Sequence, residues 1–159
     1  MTKRSAGLLL WRRTSGVEVL LAHPGGPYFA RRDDVWTLPK GELDGEEDPY
    51  GAARREYAEE LGSAPPDGPA LPLGEVRLRS GKVVVAWALQ GDLDPAGVVS
   101  NTCTISWPPR SGRTLEIPEV DRAAWFDLPT AALRLAPAQV PFLDRLAAAL
   151  SEPAESSAG

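Results

Sequence analysis

The chain has 159 residues, a length that favours one domain able to bury a substantial core. Hydrophobic residues make up 43% of the sequence and charged residues 25%, which is the balance of an ordinary folded domain and argues against wholesale disorder. The formal net charge of −5 gives no general attraction to nucleic acid or anionic lipid. We therefore expect neither a DNA partner nor a membrane partner.

The sequence holds one cysteine, Cys103, and one histidine, His23. These counts exclude an internal disulfide and a metal site built from several cysteines or histidines. We expect Cys103 to be buried and unreactive, and His23 to be structural or solvated. No apolar run reaches the roughly 18 residues of a membrane helix, and the arginines at 12–13 end the first run too early for a secretory signal. A cytoplasmic protein is expected.

The first third of the sequence predicts a β-hairpin followed by loops. Short apolar runs at 5–12 and 17–22, with turn residues between them, have the length of paired strands. Residues 23–35 hold too much glycine and proline for a regular element. We expect a short strand at 36–39 and a second loop at 40–47.

The clearest helix is predicted over 49–61. Asp48 suits the N-cap of this helix, Pro49 suits its first position, and Gly62 suits the position just after its end. These three local signals agree with one another, so both boundaries of the helix follow from the sequence.

The remaining sequence predicts several strands and one more helix. The predicted strands span 71–79, 82–90, 102–107, 113–117 and 123–126. An amphipathic helix is predicted over 137–150, and the small polar tail at 151–159 is expected to be disordered. Strands separated by two distant helices predict a single α/β domain over 1–150, with helices packed on a mixed sheet.

Three glutamates, Glu56, Glu59 and Glu60, share one face of the predicted helix. Like charges at this spacing repel each other and destabilise the helix unless something positive lies between them. Mg²⁺ prefers hard oxygen ligands and can bridge carboxylates to a substrate phosphate. From the helix alone, a solvated acidic face is the simpler explanation, and both interpretations stay open.

Residues 41–63 resemble the signature box of the Nudix hydrolases. Seven fixed positions of the family pattern are matched, by Gly41, Glu47, Arg55, Glu56, Glu59, Glu60 and Gly62. Tyr57 and Ser63 depart from the pattern, since the family usually has an aliphatic or apolar residue at these positions. The resemblance implies a Nudix-type α/β/α sandwich, in which 49–61 is the catalytic helix and 137–150 the C-terminal helix.

The resemblance also implies an activity. Nudix hydrolases use Mg²⁺ or Mn²⁺ and an attacking water to cleave a phosphoanhydride bond in a nucleoside diphosphate linked to another group. A nucleoside triphosphate or a dinucleoside polyphosphate is the favoured substrate here. A catalytically silent module that binds nucleotides as a sensor is the alternative, although no glutamate of the box is missing. The acidic charge disfavours an RNA-directed enzyme, and both a monomer and a homodimer stay open.

By resemblance, Glu56 and Glu60 are metal ligands, joined by the backbone carbonyl of Lys40. Glu59 would bind a second metal or its waters. A salt bridge between Glu47 and Arg55 would hold the preceding loop against the helix.

A further acidic group is expected from outside the box. In some members of the family a glutamate six residues before a tryptophan serves as general base or extra ligand, and here that residue is Glu119, before Trp125. An exposed loop carboxylate explains Glu119 equally well.

Candidate substrate-binding residues lie in the loops. Their positive charge or aromatic ring suits contact with a phosphate or stacking on a base. The candidates for phosphate are Lys40, Arg31, Arg32 and Arg110, and those for the base are Tyr28 and Phe29. For each arginine, a plain surface role is the simpler alternative.

Overall fold

The computed structural model describes residues 3–151, so most of the predicted tail at 151–159 lies outside the described residues. Within this range the chain forms eight strands and three α-helices. In chain order these are β1 (Arg4–Arg13), β2 (Val17–Pro24), β3 (Lys40–Glu42), α1 (Pro49–Leu61), β4 (Leu71–Arg77), β5 (Val83–Gln90), β6 (Thr102–Ser106), β7 (Thr114–Pro118), β8 (Val120–Asp127), α2 (Leu128–Arg134) and α3 (Val140–Ser151). None of the described helices is long and apolar enough to cross a lipid bilayer.

The main sheet is mixed, as predicted. Its strand order is β4-β5-β1-β2-β8, with β3 paired to β1 beside this path. Strands β1 and β5 run parallel from the Arg4–Val83 pair to the Trp11–Gln90 pair, and the other neighbours are antiparallel. Strands β6 and β7 form a separate two-stranded hairpin.

Alternate side chains of β1 and β2 point to opposite faces of the sheet, and each face carries its own apolar core. On one face α1 packs against the sheet through the buried residues Ala6, Leu8, Leu10, Leu20, Ala52, Ala53, Tyr57 and Leu61. On the other face α2 and α3 pack through Leu9, Trp11, Val19, Leu21, Ala131, Phe142, Leu143 and Leu146. The predicted α/β/α sandwich is confirmed.

One edge of β1 is shared between two partners. Its first residues pair with β3, from Ser5 opposite Glu42 to Gly7 opposite Lys40. Its last residues pair with β2, including Trp11 opposite Val19. Strands β1 and β2 therefore separate towards one end, and β3 fills the gap beneath α1.

Four local features differ from the predictions. The expected loop at 40–47 begins with β3, whereas 36–39 forms only isolated bridges, from Trp36 to Leu135 and from Thr37 to Ala22. Helix α2 was not predicted, because its seven residues are too short to show a helical period. The last helix begins at Val140 after a 3₁₀ turn over 137–139.

Candidate active site

Helix α1 carries most of the candidate site, and its ends are defined as predicted. The Asp48 carboxylate accepts a hydrogen bond from the Gly51 amide at 2.8 Å, and Pro49 takes the first helical position. Gly62 ends the helix with a φ of 85°, a conformation that favours glycine.

Arg55 donates hydrogen bonds to three acidic residues and lies 3.6 Å from a fourth, Asp44. Its Nε and Nη2 donate to the two carboxylate oxygens of Glu47 at 2.8 and 2.9 Å. Its Nη1 donates to Glu56 Oε2 at 2.8 Å and lies 3.3 Å from Glu59 Oε2. The Arg55 guanidinium and the amide of Asp44 lower the pKa of Glu47 to about 2. The loop before α1 is thus tied to the acidic face of the helix.

Glu56 and Glu60 are acidic residues that the fold buries. Burial raises the pKa of Glu60 to about 8, and the nearby charges of Glu56 and Glu119 act in the same direction. Burial also raises the pKa of Glu56, against the opposing charge of Arg55. Two buried carboxylates one helical turn apart are costly to ionise without a further positive charge.

Gly41 brings the backbone of β3 directly against this acidic pair. A Cβ atom at position 41 would lie 2.0 Å from the carboxyl carbon of Glu56. Any side chain at this position would therefore displace the carboxylate. Glycine is needed at position 41 because the Glu56 side chain lies so close. It is not needed for a left-handed backbone, because the φ angle of Gly41 is not positive.

Lys40 precedes this glycine and is half-buried beside the same carboxylates. Burial and the charge of Lys82 lower the pKa of its ammonium group, while Glu60, Glu42 and Glu56 oppose that change. The ammonium group thus lies next to a cavity, between the opposing charges of Lys82 and of these carboxylates.

Residues 99–101 dock on the C-terminal end of α1. The amide of Val99 donates to the Leu61 carbonyl at 3.2 Å, and the amide of Asn101 donates to the Glu59 carbonyl at 2.9 Å. These bonds satisfy carbonyl groups that a helix end leaves free. A Cβ at Gly62 would lie 2.5 Å from the Val99 carbonyl oxygen, so only glycine permits this approach.

The same segment holds Glu119 in place. The Glu119 amide donates to the Asn101 carbonyl at 2.9 Å, and the Glu119 carbonyl accepts from Gly25 at 3.1 Å. Burial and the charge of Glu59 raise the pKa of the Glu119 carboxyl. Glu119 thus belongs to the acidic cluster of α1 although nearly sixty residues of sequence separate it from Glu60.

Two adjoining cavities open beside these groups. The smaller, of about 340 Å³, is lined by Lys40, Glu60 and Glu119 together with apolar side chains of the β6–β7 hairpin. The larger, of about 710 Å³, extends from Lys40 towards Arg77, Leu78 and Arg79. Both cavities share the residues Pro24, Phe29, Thr37 and Lys40.

The loop residues proposed for substrate binding are placed very differently from one another. Phe29 lines both cavities, whereas Tyr28 is 64% exposed and packs edge-on against the Phe29 ring. Arg32 forms a salt bridge with Asp34. Arg31 and Arg110 are exposed, and neither lines these two cavities.

Several residues that line the cavities were not predicted from the sequence. Arg77 and Arg79 at the larger cavity lie at a hairpin end, where sequence gives no direction for a side chain. The smaller cavity includes Cys103 and Ile105 of β6 and Ile117 of β7. The alternation of apolar residues along these two strands could have indicated that they share one face of the hairpin. The expectation that Cys103 is buried was wrong, because its strand belongs to the outlying hairpin and is only partly covered.

The donor groups fit a divalent cation in chemistry. Across residues 3–151, no three Asp, Glu, His or Cys side chains form a ready-made ligand cluster, and Arg55 engages one oxygen of Glu56. The buried carboxylates of Glu56 and Glu60 nevertheless supply hard oxygen atoms of the kind that Mg²⁺ prefers. Their raised pKa values indicate that a bound cation would relieve an unfavourable arrangement.

Comparison with known proteins agrees with this geometry. Residues 1–146 match the family model of the NUDIX domain. The chain belongs to the Nudix family. The predictions of a Nudix hydrolase and of its fold are thereby confirmed, while no curated protein matches the chain significantly in sequence.

Solved structures share the fold at low sequence identity. A C. elegans Ap4A hydrolase in a binary complex is 24% identical with a TM-score of 0.67, over 92% of this chain and 98% of that one. The NUDIX domain of Shewanella oneidensis NrtR, complexed with ADP ribose, is 18% identical with a TM-score of 0.66, over 95% and 90%. A MutT protein from Methanosarcina mazei Go1 is 21% identical with a TM-score of 0.62, over 95% and 96%.

Proposed function

We propose that this Nudix protein is a divalent-cation-dependent pyrophosphohydrolase acting on a nucleoside triphosphate or a dinucleoside polyphosphate. The observation that carries the proposal is the buried pair of Glu56 and Glu60. Glu56 lies against Gly41, and Glu60 lines a cavity together with Lys40 and Glu119. Such an arrangement of acids destabilises a fold unless a positive charge is bound beside it. Groups that are costly to bury in this way are typical of functional sites.

In this proposal Glu56, Glu60 and the backbone carbonyl of Lys40 hold Mg²⁺, and Mn²⁺ can replace it. Glu59 lies at the exposed side of the same face and suits a second ion or its waters. When bound, the cation neutralises charge on the phosphate oxygens and lowers the pKa of water. Arg55 orients Glu56 and Glu59 through its hydrogen bonds, and Glu47 holds Arg55 in turn.

Glu119 is the proposed general base. A water molecule attacks the phosphorus atom, its proton passes to the Glu119 carboxylate, and the bond from phosphorus to the bridging oxygen breaks. The raised pKa of Glu119 makes it a better proton acceptor than an ordinary surface glutamate. The Lys40 ammonium group lies in the cavity where it can neutralise charge on the departing phosphate.

The two cavities suggest how a nucleotide binds. Apolar side chains dominate the larger cavity, which suits a base and ribose, and Phe29 offers a ring for stacking. Lys40 lies where both cavities meet, so the phosphate chain would pass beside it towards Glu60. Arg77 and Arg79 add positive charge at the larger cavity, which favours a substrate with several phosphates.

A hydrolysis screen tests this proposal. Nucleoside triphosphates, dinucleoside polyphosphates and ADP-ribose are incubated with the wild-type chain and with Glu56→Gln, in Mg²⁺ and separately in Mn²⁺. Glu46→Gln is the matched control, because Glu46 is an exposed glutamate of the same loop-helix segment. We expect turnover by the wild type and the control, and none by Glu56→Gln. Tight nucleotide binding without any turnover by the wild type would instead identify the silent binding module.

A further inference from the structure

His23 is the single histidine of the sequence, and the proposed reaction does not use it. It is fully buried near the end of β2. Its Nε2 donates to the carbonyl oxygen of Arg32 at 2.7 Å, since a carbonyl can only accept. Its Nδ1 lies 3.0 Å from Oδ1 of Asp121. The ring therefore joins β8 to the far end of the loop that follows β2.

A β-bulge places Asp121 for this contact. The pairing of β2 with β8 steps from His23 opposite Arg122 to Pro24 opposite Val120, so Asp121 has no partner of its own. An extra residue of this kind bends the strand and redirects a side chain. The Asp121 carboxylate consequently reaches His23. Arg122 Nη1 also lies 3.4 Å from Oδ1 of Asp121.

The loop at 25–32 is attached at both ends, at its beginning to Glu119, directly before β8, and at its end to His23, which contacts Asp121 of β8. At its beginning, the Gly25 amide donates to the Glu119 carbonyl at 3.1 Å. At its end, the Arg32 amide donates to the Phe29 carbonyl at 2.9 Å, and the Arg32 carbonyl accepts from His23. Phe29, whose side chain lines both cavities, lies between these two attachments.

We propose that His23 and Asp121 are positioning residues for substrate binding, which hold Phe29 against the nucleotide through Arg32. This inference rests on the proposed function. Glu119 is held independently of this loop by the hydrogen bond from its amide to the Asn101 carbonyl. Loss of the His23–Asp121 pair therefore raises KM and leaves kcat nearly unchanged.

The first test compares Asp121→Ala with Asp127→Ala, the same change at the other end of β8, where the side chain caps α2. With Mg²⁺ and diadenosine tetraphosphate, Asp121→Ala is expected to raise KM at least about fivefold, the effect of losing one hydrogen bond, with kcat within about twofold. Asp121→Asn keeps an acceptor for His23, and its KM should be close to that of the wild type. A merely structural role predicts reduced kcat from a smaller folded fraction and equal KM for both alanine variants, and that result would overturn the proposal.

The second test asks whether the effect passes through Phe29. Phe29→Ala should raise KM by itself, and adding Asp121→Ala should raise it no further. Independent, additive effects would overturn the proposal.

If the wild type hydrolyses nothing, the same variants are compared by calorimetric binding of ADP, where Asp121→Ala should weaken binding and Asp127→Ala should not. Absence of ADP binding by the wild type would overturn both proposals.

Discussion

Glu60 offers the sharpest test of how the acidic cluster affects the fold. In the cation-free protein its pKa is about 8, against an ordinary value of 4.5, because the carboxyl is buried near Glu56 and Glu119. Between these two pH values the folded chain keeps a proton that the unfolded chain has lost. Stability must therefore fall as the pH rises from about 4.5 to about 8, with the loss complete above pH 8. Glu60→Gln keeps the shape of the side chain and removes the titration.

The size of this effect follows from the two pKa values. Their difference corresponds to at most about 5 kcal/mol of unfolding free energy. Because water entry and movement of the side chain relieve part of the burial, we expect about 2–3 kcal/mol. At pH 5 residue 60 is neutral in both folded proteins, and only a small part of the stability loss has occurred.

Urea unfolding in EDTA at pH 5 and pH 8 measures this difference directly. The wild type should lose about 2–3 kcal/mol more than Glu60→Gln between the two pH values. Addition of Mg²⁺ at pH 8 should restore the wild type and have little effect on the variant, because binding to the folded state stabilises it. Glu46→Gln serves as a control with the pH profile of the wild type. Parallel profiles for wild type and Glu60→Gln would show that folding does not raise the pKa of Glu60.

Two further substitutions probe the geometry of the box. Gly41→Ala forces a methyl group onto the Glu56 carboxylate and should reduce Mg²⁺-dependent hydrolysis about 100-fold. Gly16→Ala is the control, because Gly16 has open space around it, and it should have wild-type activity. Equal kinetics for the two variants would contradict the close approach at Gly41. Arg55→Lys keeps the charge but loses the paired hydrogen bonds to Glu47, and should lower kcat/KM at least about tenfold, so unchanged kinetics would show that charge alone is sufficient.

The elements that could be predicted are those whose signals are local. Helix α1 follows from Asp48, Pro49 and Gly62, which act within one turn of the helix ends. Strand β3 could not be predicted, because Lys40–Glu42 has no strand-like composition and pairs only because β1 and β2 separate there. Tertiary context thus decided what this short segment became.

The candidate site divides in the same way. Glu56, Glu59 and Glu60 are placed together by helical spacing alone, so sequence was sufficient to group them. The loop arginines were chosen by residue type, and type does not determine the direction of a side chain on an irregular backbone. Arg32 forms a salt bridge two residues away instead of facing either cavity described above.

The placement of Glu119 depends both on a local sequence signal and on tertiary contacts. This residue was selected by its distance from Trp125, but what brings it to the helix is Gly62. Without a side chain at that position, the 99–101 segment can approach the helix end, and Asn101 then bonds both the Glu59 carbonyl and the Glu119 amide. The box therefore contains, besides its carboxylates, the backbone feature that recruits an acidic residue nearly sixty positions later. A chain with the same glutamates but a bulkier residue at 62 would keep the acidic face and lose the position of its proposed base.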